Sequence, residues 1–531
     1  MATPASDEGW ISVDGGVGSA TWRISDTDCA PGCVMAVGQD VGNASGIGLV
    51  LPGALNANAF RDLLAQGKLP QADDLPMAGW LNEHDTPLPL ATIDHPVELH
   101  AVAAIVAEPS QEPEVLLQLG FNTAATLQAL QPKVNVVVAI DRSASVGLQN
   151  VQAMTAGILD LADSLPAQSS LAVLAFDYGG ETLFAEPVYS PALRVKLKSA
   201  VQEIKPSGGT DLYVGLQTSF EILAKLGPGT TQRRVLLVTD GLATRGDHGN
   251  ADFVDLGTKS GVSISTIGIG AQANAALLTN LAKFTGGTYY AAPTITTLQS
   301  AFTKDLGSLL VPVASNLSVA IDLASGWTVR DSYGLVVTQV GNTVFVGGAA
   351  QPATADAVGS ADTTMVPDAG PPDFTPVGPS VLGLLYPSQK NGLIVLRLQP
   401  GNASDVQAAM SLQLATAKWS YTLTKKGSNH SHQKTVEVAG LVAIPDGGVE
   451  FYSHPLGRRT LAIVRAGEAL RQACALAQKG IKPAALATLA ASKAYSERQL
   501  GFIVDANLDP HGAIEDALGL TEALTKIVGA L

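Results

Sequence analysis

Between residues 133 and 310 short apolar runs alternate with amphipathic stretches. The runs at 134–140, 171–176 and 235–239 are almost continuously apolar, as strands buried on both faces are, and 262–269 is a further strand-like stretch. Between and after them, 148–165, 193–204, 212–226, 253–259, 275–284 and 298–310 repeat apolar residues at helical spacing,. The pattern predicts an α/β unit: a mostly parallel sheet with helices on both faces. In such sheets ligands bind outside the carboxyl ends of the strands.

Either side of this unit the pattern differs. Residues 1 to about 45 are Gly-rich with short alternating stretches at 10–13 and 21–24, read as strands and turns, and 56–67 reads as a short helix,. After Pro312 short alternating runs return at 317–321, 328–330, 335–340 and 343–346, then at 393–398, 410–415, 419–424 and 434–438. These predict an antiparallel β-sandwich. The Pro/Ala/Asp-rich stretch 351–380 between them reads as a long loop,. The stretches 458–478, 483–500 and 513–531 are Ala-rich with helical periodicity and predict a helical bundle,. Four regions follow: 1–129, a β-rich N-terminal segment; 130–311, the α/β domain; 312–457, a β-sandwich; and 458–531, helical. The first is expected to pack with the third, making the α/β domain an insertion in a β platform.

Charge separates these regions further. Residues 1–129 hold 16 Asp/Glu and 3 Lys/Arg, which is −13 of the total −15. That acidity argues against nucleic acid, which needs a basic footprint. No apolar run approaches the ~20 residues that span a bilayer, and the start, Met1-Ala2-Thr3-Pro4, lacks the features of a signal peptide,. Cys29-Ala30-Pro31-Gly32-Cys33 forms a turn that can close as a disulfide, and Cys474 stands alone in a helical stretch.

The candidate chemistry sits where the α/β pattern places it. Asp141-Arg142-Ser143-Ala144-Ser145 directly follows the first apolar run, putting one carboxylate and two hydroxyls on a single loop. Gly208-Gly209-Thr210-Asp211 precedes a helical stretch, and Thr239-Asp240-Gly241 follows a strand. Hard oxygen ligands of this kind suit Mg²⁺, Mn²⁺ or Ca²⁺. Three of the five candidates are neutral hydroxyls, so a bound Mg²⁺ stays electrophilic toward a further anion.

Together Asp141, Ser143, Ser145, Thr210 and Asp240 resemble the metal-ion-dependent adhesion site of the von Willebrand factor A family. The resemblance implies that Asp141, Ser143, Ser145 and Thr210 contact the metal and that Asp240 acts directly or through water. It implies a non-enzymatic protein whose divalent cation, Mg²⁺ before Mn²⁺ or Ca²⁺, coordinates an acidic residue of a protein partner. The last helix of the domain, 298–310, is the element such domains shift when the metal gains a ligand. The departures are Arg142, Ala144 in place of the usual Gly, and Val146 where Met is frequent; an inward-pointing Arg142 would weaken the metal. Phe60-Arg61-Asp62-Leu63-Leu64, Gly67-Lys68-Leu69-Pro70, Leu81-Asn82 and His95-Pro96 further resemble bacterial A-domain proteins whose label is borrowed from calcium-activated chloride channel components. Nothing in the sequence shows a pore.

The remaining motifs are weaker. Arg245-Gly246-Asp247 matches an integrin-type recognition triplet but reads as loop, and His430-Ser431-His432 reads as decoration of an exposed hairpin. His95, Glu98 and His100 lack the one-face spacing of a zinc protease. No nucleophile elbow or Walker loop appears, and neither Ser143 nor Ser145 has a His nearby in sequence,. The alternative reading is a structural scaffold in a larger assembly with a metal-silent A domain. A periplasmic, cell-surface or secreted location fits the binding reading; a cytoplasmic one is the alternative.

Overall fold

The computed structural model describes residues 11–14, 19–22, 47–84, 88, 96–107, 114–124, 132–226, 232–246, 248–303, 310–333, 337–346, 364–366, 384–388, 392–400, 413–425, 429–437, 449–452, 455–505, 509 and 512–531. Cys29 and Cys33 lie outside them.

The α/β unit is a seven-stranded sheet. From edge to edge it runs Gly53–Ala54, Thr288–Ala292, Ser263–Ile269, Arg233–Thr239, Asn135–Asp141, Ser170–Phe176 and Gly180–Glu186. All neighbours are parallel except the last pair. The central strand Asn135–Asp141 is buried throughout. Val136, Val138 and Ile140 enter one core while Val137 and Ala139 enter the other, so no position is left for a polar alternation. Each such valine or isoleucine side chain stabilises the fold by about 1.5–3 kcal/mol.

Helices cover both faces. On one side Leu148–Ser164 packs against Ile295–Thr303. The two approach closely at Gly157, where a Cβ would stand 2.3 Å from Cγ of Phe302. Three strands escape the sequence pattern. Gly180–Glu186 is a mostly exposed antiparallel edge. Thr288–Ala292 contributes two tyrosines among its five residues, and Gly53–Ala54 is too short to show a period.

Strands from both sides of the α/β unit in sequence build the sandwich. One sheet orders Thr364–Val366, Val337–Val340, Thr343–Val346, Ala314–Leu323, Gln413–Leu423 and Asn429–Glu437. The other orders Trp327–Tyr333, Leu393–Pro400, Glu114–Thr123, Ile47–Val50 and Tyr386–Ser388, with Glu98–Ala107 joining Glu114–Thr123 to Val449–Tyr452. Thr364–Val366 corrects the reading of 351–380 as one loop, because it pairs antiparallel with Val337–Val340. Leu117, Leu119 and Phe121 meet Val319, Ile321 and Trp419 between the sheets.

The outer face of the second sheet carries the helices Pro455–Gln478, Lys482–Asp505 and Ala513–Ala530, joined by Asn58–Ala65 and Met77–Glu83. Leu116 points to this layer while its neighbour Leu117 points into the sandwich, the period of two expected of a strand. Trp80 is fully buried here and donates its indole N–H to the Ile463 carbonyl at 2.8 Å. Cys474 is buried in this layer, and burial pushes its thiol up to about 12, far from the reactive range. Among the described residues no helix is long and apolar enough to cross a membrane.

Candidate metal centre

Asp141 closes the central strand, and Asp240 directly follows the neighbouring strand Arg233–Thr239. The register sets Ile140 beside Val238, so the two carboxylates emerge at the same sheet edge. Asp141 is fully buried. Its Oδ1 accepts the Ser143 amide at 2.8 Å, the Asx turn that bends the chain back over the strand end,. Its Oδ2 accepts the Thr239 hydroxyl at 2.6 Å and the Thr210 hydroxyl at 3.5 Å. From there hydroxyls link the three motif pieces: Ser143 Oγ lies 3.0 Å from Ser145 Oγ, which donates to Asp240 Oδ2 at 2.7 Å. Ser143, Thr210 and Asp240 are buried, whereas Ser145 opens to solvent. All five residues singled out in the sequence therefore meet in one cluster.

Two turns hold the outer pieces. Gly241 adopts φ +68° after Asp240, and Leu242 N–H returns to Asp240 Oδ1 at 3.0 Å; a side chain at position 241 would strain that turn. The Thr210 loop is tied to the first loop by Ala144 N–H on the Gly208 carbonyl at 3.2 Å. Thr244 locks it from the other side, its hydroxyl accepting the Thr210 N–H at 2.8 Å.

Arg142 points outward. Its Nε donates to Asp177 Oδ2 at 3.1 Å and a terminal nitrogen to Glu181 Oε2 at 2.7 Å. Asp177 also accepts the Ser207 hydroxyl at 2.7 Å. The guanidinium thus clamps the loops behind the site, and among the described residues no cation pairs with Asp141. Burial raises the Asp141 carboxyl above its ordinary range; hydrogen bonds from Thr239 and Ser143 oppose this and the charge of Asp240 adds to it. Sequence reasoning missed the supporting roles of Thr239, Thr244 and Asp177. Only Thr239 carried a signal, as part of the Thr-Asp-Gly triplet.

The other candidates fall elsewhere. His430 and His432 do not decorate an open hairpin: both are half-buried, His430 stacked on Tyr421 at 5.0 Å and His432 tilted against Trp419 at 5.3 Å. Their strand partners set this, Tyr421 opposite His430 and Trp419 opposite His432. His100 is buried, 2.9 Å from Asn122 Oδ1. His95 and Asp247 lie outside the described residues. A cluster absent from the sequence reading joins Glu83, His84 and Asp516, whose ligand-type atoms lie within 4.8 Å of one another. Arg61 fills it, donating to Glu83 at 2.5 Å and to both Asp516 oxygens at 2.5 and 2.6 Å.

Residues 134–291 match the family model of the von Willebrand factor type A domain. These residues are a von Willebrand factor A domain within the longer chain, and they have the α/β fold of that domain. The chain is similar to calcium-activated chloride channel regulator 3A-1 of Mus musculus, 26% identical over 223 residues, 40% of this chain and 24% of that protein. It is also similar to an uncharacterized protein of Synechocystis, 28% identical over 158 residues, 29% of this chain and 36% of that one. The chain thus spans between about a quarter and a third of the length of these curated relatives. A solved von Willebrand factor type A structure from Catenulispora acidiphila is 14% identical with a TM-score of 0.43, over 80% of this chain and 89% of that one.

Proposed function

We propose that Asp141, Ser143, Ser145, Thr210 and Asp240 hold a divalent cation, Mg²⁺ first and Mn²⁺ or Ca²⁺ next, and that the protein uses it to bind an acidic side chain of a protein partner. The observation that carries this reading is a fully buried carboxylate, Asp141, gathered with a second carboxylate and three hydroxyls while the adjacent guanidinium turns away. An unpaired buried charge is costly, and a cation among these oxygens removes the cost. The spacing fits. Mg²⁺ ligands lie about 2.0–2.1 Å from the ion, so neighbouring oxygens of an octahedron stand ~3 Å apart. The Ser143–Ser145 and Ser145–Asp240 oxygen pairs, at 3.0 and 2.7 Å, are close to that edge. Two carboxylates offset the ion's charge and the neutral hydroxyls add none, so an acidic partner oxygen remains attracted to an open position.

The role we assign is binding and not catalysis. Ser143 bonds to Ser145, and Ser145 to Asp240; no histidine stands in this chain of hydroxyls to activate either as a nucleophile.

Isothermal titration of metal-stripped protein with Mg²⁺, Mn²⁺ and Ca²⁺ tests this directly. The expected result is one-site binding that Asp141→Ala removes while circular dichroism stays unchanged. No heat from folded wild-type protein with any of the three cations would sink the reading.

A further inference from the structure

The strand Arg233–Thr239 carries a second charged residue, at the opposite end from Asp240. Arg234 is only 5% exposed. Its register partners are Val136 on one side and Ser263 on the other, so its side chain faces the core that holds Val136. That core also takes in Tyr386 and Val50, which pair with each other in the sandwich sheet. Arg234 therefore lies at the seam between the A domain and the β platform.

The guanidinium is poorly compensated there. One terminal nitrogen donates to the Arg233 carbonyl at 3.1 Å and the other to Gln232 Oε1 at 2.6 Å. Nε is buried with no acceptor among the described residues, and no carboxylate among them pairs with this side chain. Burial pulls the guanidinium down from its ordinary value, yet arginine stays protonated in proteins. A buried charge without a counter-charge is costly. The hydroxyls nearby are donors too. Tyr386 reaches across the seam and gives its proton to the Gly286 carbonyl at 2.7 Å. Ser263 Oγ lies 3.2 Å from the Tyr386 oxygen. A hydroxyl rotates to suit its partner, so Ser263 can turn its own proton to an acceptor beside Nε.

We infer that Arg234 and Ser263 hold a small inorganic anion of halide size, which stabilises the seam by neutralising the charge buried in it. One N–H and one hydroxyl in so closed a place suit a single-atom acceptor; a phosphate would bury oxygens without donors. Gln232 and Arg233 are half-buried, so the start of the strand gives the anion a route from solvent, and the Arg233 charge draws it there.

The test melts the full chain, wild type and Arg234→Met, in sodium chloride, bromide, phosphate and gluconate at equal ionic strength. EDTA is present throughout, so the outcome is independent of the cation reading above. The wild type is expected to melt about 2 °C or more higher in chloride and bromide than in gluconate, and Arg234→Met to lose that difference. The variant also corrects for the general strengthening of burial by phosphate. Bromide-soaked crystals of the wild type are expected to show an anomalous peak beside Arg234 Nε. Equal melting in every salt, or a halide gain that survives in Arg234→Met, would overturn the inference. A gain with phosphate alone that the variant removes would assign the site to an oxyanion and overturn it too. Should Arg234→Met not fold, the crystals decide: a bromide peak beside Nε upholds the site, and a water in that place overturns it.

Discussion

Two clusters of acidic side chains in this protein use the same residue types to opposite ends. At the sheet edge Asp141 and Asp240 face hydroxyls and, among the described residues, no cation, because Arg142 is drawn off to Asp177 and Glu181. In the helical layer Glu83 and Asp516 share Arg61, and His84 adds a contact to Asp516 at 3.0 Å. His84 Nδ1 faces the Trp80 carbonyl at 2.7 Å. Glu83 Oε2 is spent on the Ala57 N–H at 2.8 Å. By ligand-atom spacing the second cluster is the metal candidate, yet its oxygens are engaged and a guanidinium stands among them. The lesson is that proximity of carboxylates does not define a cation site. What defines it is acceptors gathered without a resident cation. The carboxyl groups register the difference: burial pushes Asp141 up, whereas Asp516, raised by burial alone, is held well below the usual range by His84 and Arg61.

The sharpest way to break the comparison is to cross the mutations. Asp141→Ala should weaken Mg²⁺ binding more than about a hundredfold, beyond what loss of a supporting residue costs, while Asp516→Ala should leave the Mg²⁺ isotherm as in wild type. An isotherm altered by Asp516→Ala would make the helical cluster a metal site after all. Stability should respond the other way. Asp516→Ala leaves Arg61 with Glu83 alone and takes the carboxylate from His84, and breaking a buried pair costs about 3–5 kcal/mol. The Asp516 side chain is 36% exposed, so screening reduces the expected loss to about 1–2 kcal/mol in urea melts.

The pH dependence follows in sign. Because the folded Asp516 carboxyl is depressed, its contribution is fully present above the unfolded value of about 3.9 and is lost as pH falls through the lower folded value. Urea midpoints taken downward from about pH 5 should fall more steeply in wild type than in Asp516→Asn; parallel curves would show that the cluster does not hold this carboxylate down. The smallest effect is expected at Arg142. Since it faces away from Asp141, Arg142→Ala should loosen the loops and lower Mg²⁺ affinity by less than about tenfold. A gain in affinity would show that its charge reaches the site.

The fold class was legible because the strands of the A domain are buried on both faces. Residues 136–140 carry that burial as an unbroken apolar run. The edge strand Gly180–Glu186, exposed along most of its length, carries no such run and went unread. The five candidate residues were legible for a related reason: each loop is local, and its Asp, Ser, Thr and Gly follow or precede an element at once. Their supports were not. Thr244 and Asp177 act through partners more than 30 residues away, and nothing in their own neighbourhoods distinguishes them from ordinary loop residues.

What the sequence determined by itself was the alternation of buried strands and amphipathic helices, the uneven charge, and three oxygen-rich loops in order. These depend on periods of two and 3.6 residues and on turn chemistry, which act over a few positions. Tertiary structure alone decided that Gly53–Ala54 extends the A-domain sheet, that Arg142 turns outward, and that Arg61 meets Asp516 across 455 residues. Such contacts arise from many weak packing terms summed over distant segments, and each contributes too little at any one position to leave a pattern in the chain.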